Sequence, residues 1–350
     1  MKAIVYKDKA RLELTEVPVP VCGDEDSILK IEAAAICGAD LHWESGAFTA
    51  DHEFVLGHEF CGTIAEKGSR VGDFWNIGDL VVSDNTGGAC GHCSACRRGD
   101  FVHCRDRETL GAGFDGGFAA YCKIPGKILR LFPGCLTKGP EGISIAEAAI
   151  MEPAANAYRA VVQEAQVRPG DTVVIVGMGP LGLYSLQMAR IAGASRIICV
   201  GKRADDAVRF PLAKKFGATH LITTEDEDVV ERVLEIAGDD GVSAVIDAAG
   251  PAIVMQQAMK YLQHDGVFVR IGNPPGKYND TLLPLIDKQI TVIGHMGYNA
   301  TSWEKVVRLV QSGQLDLKSM VTYVLPLSDY KKGYEHMRRH LAAKVVLIPE

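Results

Sequence analysis

The 350-residue chain has no run of roughly 18 uninterrupted apolar residues, so it holds no candidate membrane-spanning helix. It also lacks a surplus of positive charge: 37 Lys and Arg against 44 Asp and Glu leave a formal net charge of −7, and the cations are scattered. Binding to phosphate backbones needs a basic face, so nucleic acid is not an expected partner. No apolar signal-peptide core follows Met1 and Lys2, which run straight into A-I-V-Y. Export is therefore not expected, and a cytoplasmic, reducing location is. What remains is an ordinary globular composition, 47% hydrophobic and 23% charged. At this length two domains of unequal size are expected, each large enough to bury its own core.

Cysteine is sparse except in one place. Residues 90 to 104 read C-G-H-C-S-A-C-R-R-G-D-F-V-H-C, four of the ten cysteines in fifteen positions. In a reducing compartment such a cluster points to a metal site rather than to a disulfide framework. Cys90, Cys93, Cys96 and Cys104 form C-x2-C-x2-C-x7-C, three thiolates on a tight loop and a fourth returning to close a tetrahedron. Four sulfurs around zinc leave no open position, so the cluster reads as a structural clamp, with His92 and His103 surplus. An iron–sulfur cluster and four free thiols are the competing readings, and the ligand softness and spacing favour zinc. The chemistry must lie elsewhere.

A mixed set stands upstream: Cys37, Asp40 and His42 in I-C-G-A-D-L-H-W, then His58 and Glu59 in L-G-H-E-F-C-G. One thiolate and one imidazole need a third ligand, and the candidates are Glu59 and Glu152, the latter in I-M-E-P-A-A-N. Pro153 disfavours helix at Glu152 and leaves its carboxylate at a junction, after a helix started by a Ser144/Glu147 capping box. Cys, His and Glu around zinc sum to about zero charge and leave a fourth position open, the arrangement of a catalytic zinc.

Beyond Arg168-Pro169-Gly170-Asp171, the apolar strand T-V-V-I-V runs into G-M-G-P-L-G, with Gly177, Gly179, Pro180, Leu181 and Gly182 opening a helix. In that context G-x-G-x-x-G is a dinucleotide fingerprint, whose glycines admit a pyrophosphate to backbone N–H groups. Further strands are expected at 196–200, 243–247 and 267–272, and strands alternating with helices give a doubly wound parallel sheet. An NAD enzyme places Asp or Glu about 20 residues past the last glycine to hold the adenosine ribose. Here that place is Gly201, followed by Lys202 and Arg203, while Asp205 and Asp206 are expected in the loop beyond the ribose. NADP(H) is therefore expected in preference to NAD(H).

Residues 57–71, G-H-E-F-C-G-T-I-A-E-K-G-S-R-V, match the zinc signature of the medium-chain alcohol dehydrogenases, and the chain resembles that superfamily over nearly its whole length. It is most similar to the polyol (sorbitol) and threonine dehydrogenases, which share C-G-x-D-x-H, G-H-E and Glu-Pro in place of a second cysteine ligand. The resemblance implies an α/β chain: a GroES-like, β-rich catalytic domain at 1–154, a Rossmann domain at 155–295 and a return to the catalytic domain at 296–350. The tail is compatible with this, with a Thr301/Glu304 capping box, a helix through Val310 stopped at Gly313, and a strand at 345–348.

The resemblance further implies two zinc ions per chain, one catalytic on Cys37, His58 and either Glu59 or Glu152, and one structural. It gives His42 a place near the cofactor ribose in proton transfer, and a homodimer or homotetramer as the assembly. Relatives carry Ser or Thr two residues after the cysteine ligand to begin the proton relay, and this chain carries Ala39. The expected activity is interconversion of a secondary alcohol (polyol, sugar or cyclitol) and its ketone. The rivals are an NADPH-dependent reductase of a carbonyl or conjugated alkene, and a non-catalytic zinc- and NADPH-binding protein. Trp43, Glu44 and Phe48 are candidate pocket lining.

Overall fold

The segment S-I-L-K-I-E-A-A-A forms strand β1 (Ser27–Ala35), whose small C-terminal residues Ala33, Ala34 and Ala35 are fully buried. Cys37 then caps helix α1 (Gly38–Ser45), which Gly46 stops in the left-handed conformation at φ 75°. Next come β2 (Glu59–Lys67), β3 (Leu80–Ser83), β4 (Tyr121–Ile124), β5 (Leu136–Lys138), α2 (Ile145–Ala149) and α3 (Glu152–Tyr158). A parallel series follows with β6 (Thr172–Val176), α4 (Pro180–Ile191), β7 (Arg196–Gly201), β8 (His220–Thr223), β9 (Val242–Asp247), β10 (Leu262–Arg270) and β11 (Thr291–Gly294). The chain continues through α5 (Ala300–Gln311), β12 (Val321–Pro326), α6 (Tyr330–Arg338) and β13 (Lys344–Ile348). This computed structural model describes residues 1–8, 11–131, 133–273 and 277–350.

The chain divides into two units, one of residues 1–152, 298–313 and 317–350, the other of residues 153–297 and 314–316. In the first, a sheet runs β5-β3-β2-β1-β13-β12, with β4 also paired to β1. β13 enters antiparallel to β1, with Leu347 opposite Ala34 and Val346 opposite Ala35. In the second, six strands lie in the order β8-β7-β6-β9-β10-β11, every neighbouring pair parallel. This is the doubly wound order with its switch between β6 and β9. Runs such as T-V-V-I-V suit strands covered on both faces. Val174, Ile198, Val245 and Phe268 have no exposure, and each such side chain contributes about 1.5–3 kcal/mol.

Two local expectations change. Glu152 is the first residue of α3 rather than a non-helical junction; Pro153 falls in the first turn, where no intrahelical N–H is required of it. The capping residue of α5 is Asn299, whose side chain accepts from Ser302 N–H at 2.9 Å, rather than Thr301. Asn is among the best N-caps, and its extended backbone at φ −106° starts the helix earlier. The Ser144/Glu147 capping box forms as read, with Ser144 N–H 2.9 Å from the Glu147 carboxylate.

Candidate active site

Antiparallel pairing sets Ala35 opposite Glu59, so Cys37, just past β1, meets His58 and Glu59 at the start of β2. One donor atom from each of Cys37, His58 and Glu59 lies within 4.8 Å of the others. Asp40, fully buried in α1, fixes this corner: its Oδ2 accepts from Cys37 N–H at 2.8 Å, and its Oδ1 is 3.7 Å from His58 Nδ1. Burial pushes the Asp40 carboxyl up to about 6, against the pull of His58. Burial disfavours the His58 cation, yet Cys37 and Asp40 outweigh it and hold the imidazole well above its ordinary value. Burial likewise raises the Cys37 thiol, with His58 opposing. Glu59 is fully buried, Lys344 Nζ forms an ion pair with its Oε2 at 2.5 Å, and among the described residues neither carboxylate oxygen has a geometrically formed hydrogen bond. Lys344 also donates to Ile36 C=O at 3.0 Å. A half-buried thiol, a buried imidazole and a buried carboxylate brought together with unsatisfied carboxylate oxygens fit a zinc ion.

Glu152 is buried and lies outside that three-donor group. Burial raises its carboxyl, His58 lowers it and Glu59 raises it further, so the two sites share one electrostatic environment. Its Oε1 accepts from Asn85 Nδ2 at 2.9 Å. His42 is half-buried in α1, its ring 5.0 Å from that of Phe48. Trp43 is buried against Tyr6, Phe48 and Phe54, where its indole on the inner face of α1 completes an aromatic cluster. Glu44 points instead to Arg338, at 3.6 Å. Ala39 is half-buried and brings no hydroxyl.

The sulfurs of Cys90, Cys93, Cys96 and Cys104 also lie within 4.8 Å of one another. Backbone N–H groups of Cys90 and Cys93 donate to Cys104 and Cys90 sulfurs, each at 3.3 Å. The N–H groups of His92 and Cys93 draw the Cys90 thiol down to about 6, whereas burial and the neighbouring cysteines push Cys96 up to about 12. Such mutually opposed thiols are the donor set a dication satisfies. His103 is engaged with Asp100 at 2.8 Å, and His92 with the Cys90 carbonyl at 3.0 Å.

In the second unit Gly177 takes φ 94°, and a Cβ at Gly182 would fall 1.8 Å from the Gly177 carbonyl. Strand and helix therefore approach closely only with glycine there. Pro180 and Leu181 open α4, which Gly179 caps. Gly201 ends β7, and a Cβ there would meet Asp205 Oδ2 and Phe210, each at 2.9 Å. Asp205 thus does not lie out in a loop: it is buried beneath Gly201, accepting from Lys202 N–H at 2.9 Å and paired with Arg209 at 3.3 Å. Lys202 and Arg203 are exposed; the Arg203 guanidinium pairs with Asp226, and its N–H donates to Glu225 at 3.1 Å.

Lys344, Asn85 and Arg107 escaped the sequence reading. A lysine opening the apolar strand K-V-V-L-I is the one signal that could have exposed Lys344. Asn85 and Arg107 stand in no motif.

The chain matches the alcohol dehydrogenase GroES-like domain over residues 23–134 and the zinc-binding dehydrogenase domain over residues 180–312. An uncharacterised zinc-type alcohol dehydrogenase-like protein of Escherichia coli K12 is 40% identical, over 99% of this chain and 98% of its own. An L-threonine 3-dehydrogenase of Bacillus velezensis is 34% identical over 100% and 99%, and a sorbitol dehydrogenase of Halalkalibacterium halodurans 31% identical over the same shares. A zinc-binding dehydrogenase structure from Sinorhizobium meliloti, bound to NADP, superposes with TM-score 0.88 at 29% identity, over 99% of both chains.

Proposed function

The chain belongs to the zinc-type alcohol dehydrogenases, enzymes that use zinc and a nicotinamide cofactor, and from that membership we propose that it interconverts a secondary alcohol of the polyol, sugar or cyclitol class and its ketone, with NADP(H) as hydride carrier. The observation that carries the reading is the Cys37, His58 and Glu59 set, three donors that leave one position of a tetrahedron open. The zinc such a site takes acts as a Lewis acid that lowers the pKa of an alcohol oxygen. Asp40 holds the Cys37 backbone N–H and sets its carboxylate 3.7 Å from the His58 ring, so the cysteine end of the site is fixed before substrate arrives. Glu59 or Glu152 serves as the third ligand; Glu152, buried with a raised carboxyl, is the group suited to accept the alcohol proton where Ala39 supplies no hydroxyl. His42 serves as an outer proton station or a ribose contact.

NADP(H) preference rests on Gly201 in place of a carboxylate, with Lys202 and Arg203 beside it, and on the NADP held by the S. meliloti relative, while the glycines at 177, 179 and 182 suit the pyrophosphate of either cofactor. Cys90, Cys93, Cys96 and Cys104 hold the structural zinc. A homo-oligomer, dimer or tetramer, is favoured by the edge strand β11 and its exposed neighbours Leu283, Ile286 and Met296, which a second copy would cover. The ten unpaired cysteines suit a cytoplasmic location. Among the described residues no helix is long and apolar enough to cross a membrane.

The test is turnover of NADP+ and NADPH against a panel of polyols and ketoses, with metal analysis. Two zinc ions per chain and NADP-linked oxidation of a polyol are expected, and Cys93→Ser should remove one zinc while a folded variant keeps the other. Turnover confined to NADPH-dependent reduction of unsaturated carbonyls would move the assignment to a reductase.

A further inference from the structure

The carboxylate of Glu152 is the end of a chain of contacts that starts in the four-cysteine loop. Arg107 stands three residues beyond Cys104, and its N–H donates to the Cys104 carbonyl at 3.1 Å. The Arg107 Nη2 donates to Asn85 Oδ1 at 3.0 Å, and Asn85 Nδ2 donates to Glu152 Oε1 at 2.9 Å. Asn85 and Glu152 are both buried. The amide has only one workable orientation: turned over, it would set N–H against guanidinium and oxygen against carboxylate. Asn85 also adopts φ 62°, a left-handed conformation that Asn tolerates better than most residues. Its backbone is held there from both sides, with its N–H donating to Ser83 Oγ at 3.0 Å and its carbonyl accepting from Leu110 N–H at 2.9 Å. One residue before it, the Asp84 carbonyl accepts from Tyr298 O–H at 2.5 Å.

We propose that Asn85 and Arg107 are positioning residues that aim the Glu152 carboxylate at the Cys37/His58/Glu59 centre and make its aim depend on the four-cysteine loop. This rests on the reading of that centre as the catalytic zinc site. Arg107 contributes as the donor that fixes the Asn85 amide. The arrangement gives the clamp a role besides holding its own loop, since displacement of Cys104 moves Arg107 and releases one oxygen of Glu152.

Asn85→Gly is the direct test, because glycine accepts φ 62° and deletes only the amide. Arg107→Met keeps the stem without the charge, and Arg107→Lys keeps the charge. Each is prepared with two cobalt ions in place of zinc, and read by its visible d–d absorption and by kcat and KM. Both Asn85→Gly and Arg107→Met should hold two cobalt ions and show the same change in the d–d bands of the Cys37/His58 cobalt. In both, kcat should fall at least ~10-fold with KM for the cofactor unchanged, and Arg107→Lys should lie between them and the native enzyme. Unchanged bands and kcat in either folded variant overturn the positioning role while leaving the zinc site standing. A native protein that takes up cobalt only at the four cysteines sinks the zinc-site reading and this proposal together. If Asn85→Gly does not fold, Arg107→Met decides alone.

Discussion

Lys344 Nζ lies 2.5 Å from Glu59 Oε2 with neither side chain exposed at all. A buried pair of this kind repays its desolvation only while both partners remain, and removing one leaves the other as an uncompensated charge. Lys344→Met should therefore cost about 3–5 kcal/mol in a denaturant melt of the metal-free protein. Adding Glu59→Gln should restore most of that loss, since the two changes share one interaction. A double variant as unstable as the sum of its singles would show that the pair is not coupled.

Glu152→Gln preserves size and can still accept from Asn85, but it loses the base. Alcohol oxidation should fall at least ~100-fold in kcat with zinc content unchanged. Ala39→Ser should change the rate little, because the proton already has a path. Steady-state kinetics on the two variants, beside metal analysis, decides; an active Glu152→Gln enzyme combined with a large gain from Ala39→Ser would reverse the assignment.

Asp205 and Phe210 fill the space beside Gly201, so placing a carboxylate there would disturb the loop as well as the ribose site. The cleaner change is Lys202→Ala with Arg203→Ala. Discrimination should move toward NAD by at least ~1.4 kcal/mol, a tenfold change in the ratio of kcat/KM values for the two cofactors. A native enzyme that prefers NAD ends the argument before the variants are made.

Asp247 closes β9, its Oδ1 accepting from Ala249 and Gly250 N–H groups while its Oδ2 is buried without a hydrogen-bond partner among the described residues. Burial raises its carboxyl to about 6, above the ordinary value near 3.8. With the folded value raised, the protonated form stabilises the fold; that contribution is complete below the unfolded value and is lost as pH rises through about 6. Asp247→Asn should match the native protein near pH 4 and exceed it by roughly 2–3 kcal/mol at pH 8. Thermal melts of both proteins across that range read the difference, and parallel curves would refute it.

The parallel sheet and both donor clusters were legible because each is written in local spacing: T-V-V-I-V before G-M-G-P-L-G, three cysteines at every third position, Cys37 and His58 in short motifs. Glu59 and Lys344 could not be paired from the sequence, because their meeting depends on β13 lying antiparallel to β1, a long-range choice of register. Asp205 was misplaced because its distance along the chain says nothing about a loop that folds back under its own strand. Thr301 and Asn299 are both acceptable caps, and only backbone geometry selects between them. Trp43 follows a ligand motif, yet the face of α1 it occupies is the inner one.

The first unit takes its sheet from both ends of the chain, and β13 supplies the cation for Glu59. A ribosome delivers Lys344 about 285 residues after Glu59, roughly 15 to 60 s later at ordinary elongation rates. Throughout that interval the Glu59 carboxylate has no Lys344 beside it, so the corner of the sheet that carries Cys37, His58 and Glu59 is completed only when β13 arrives.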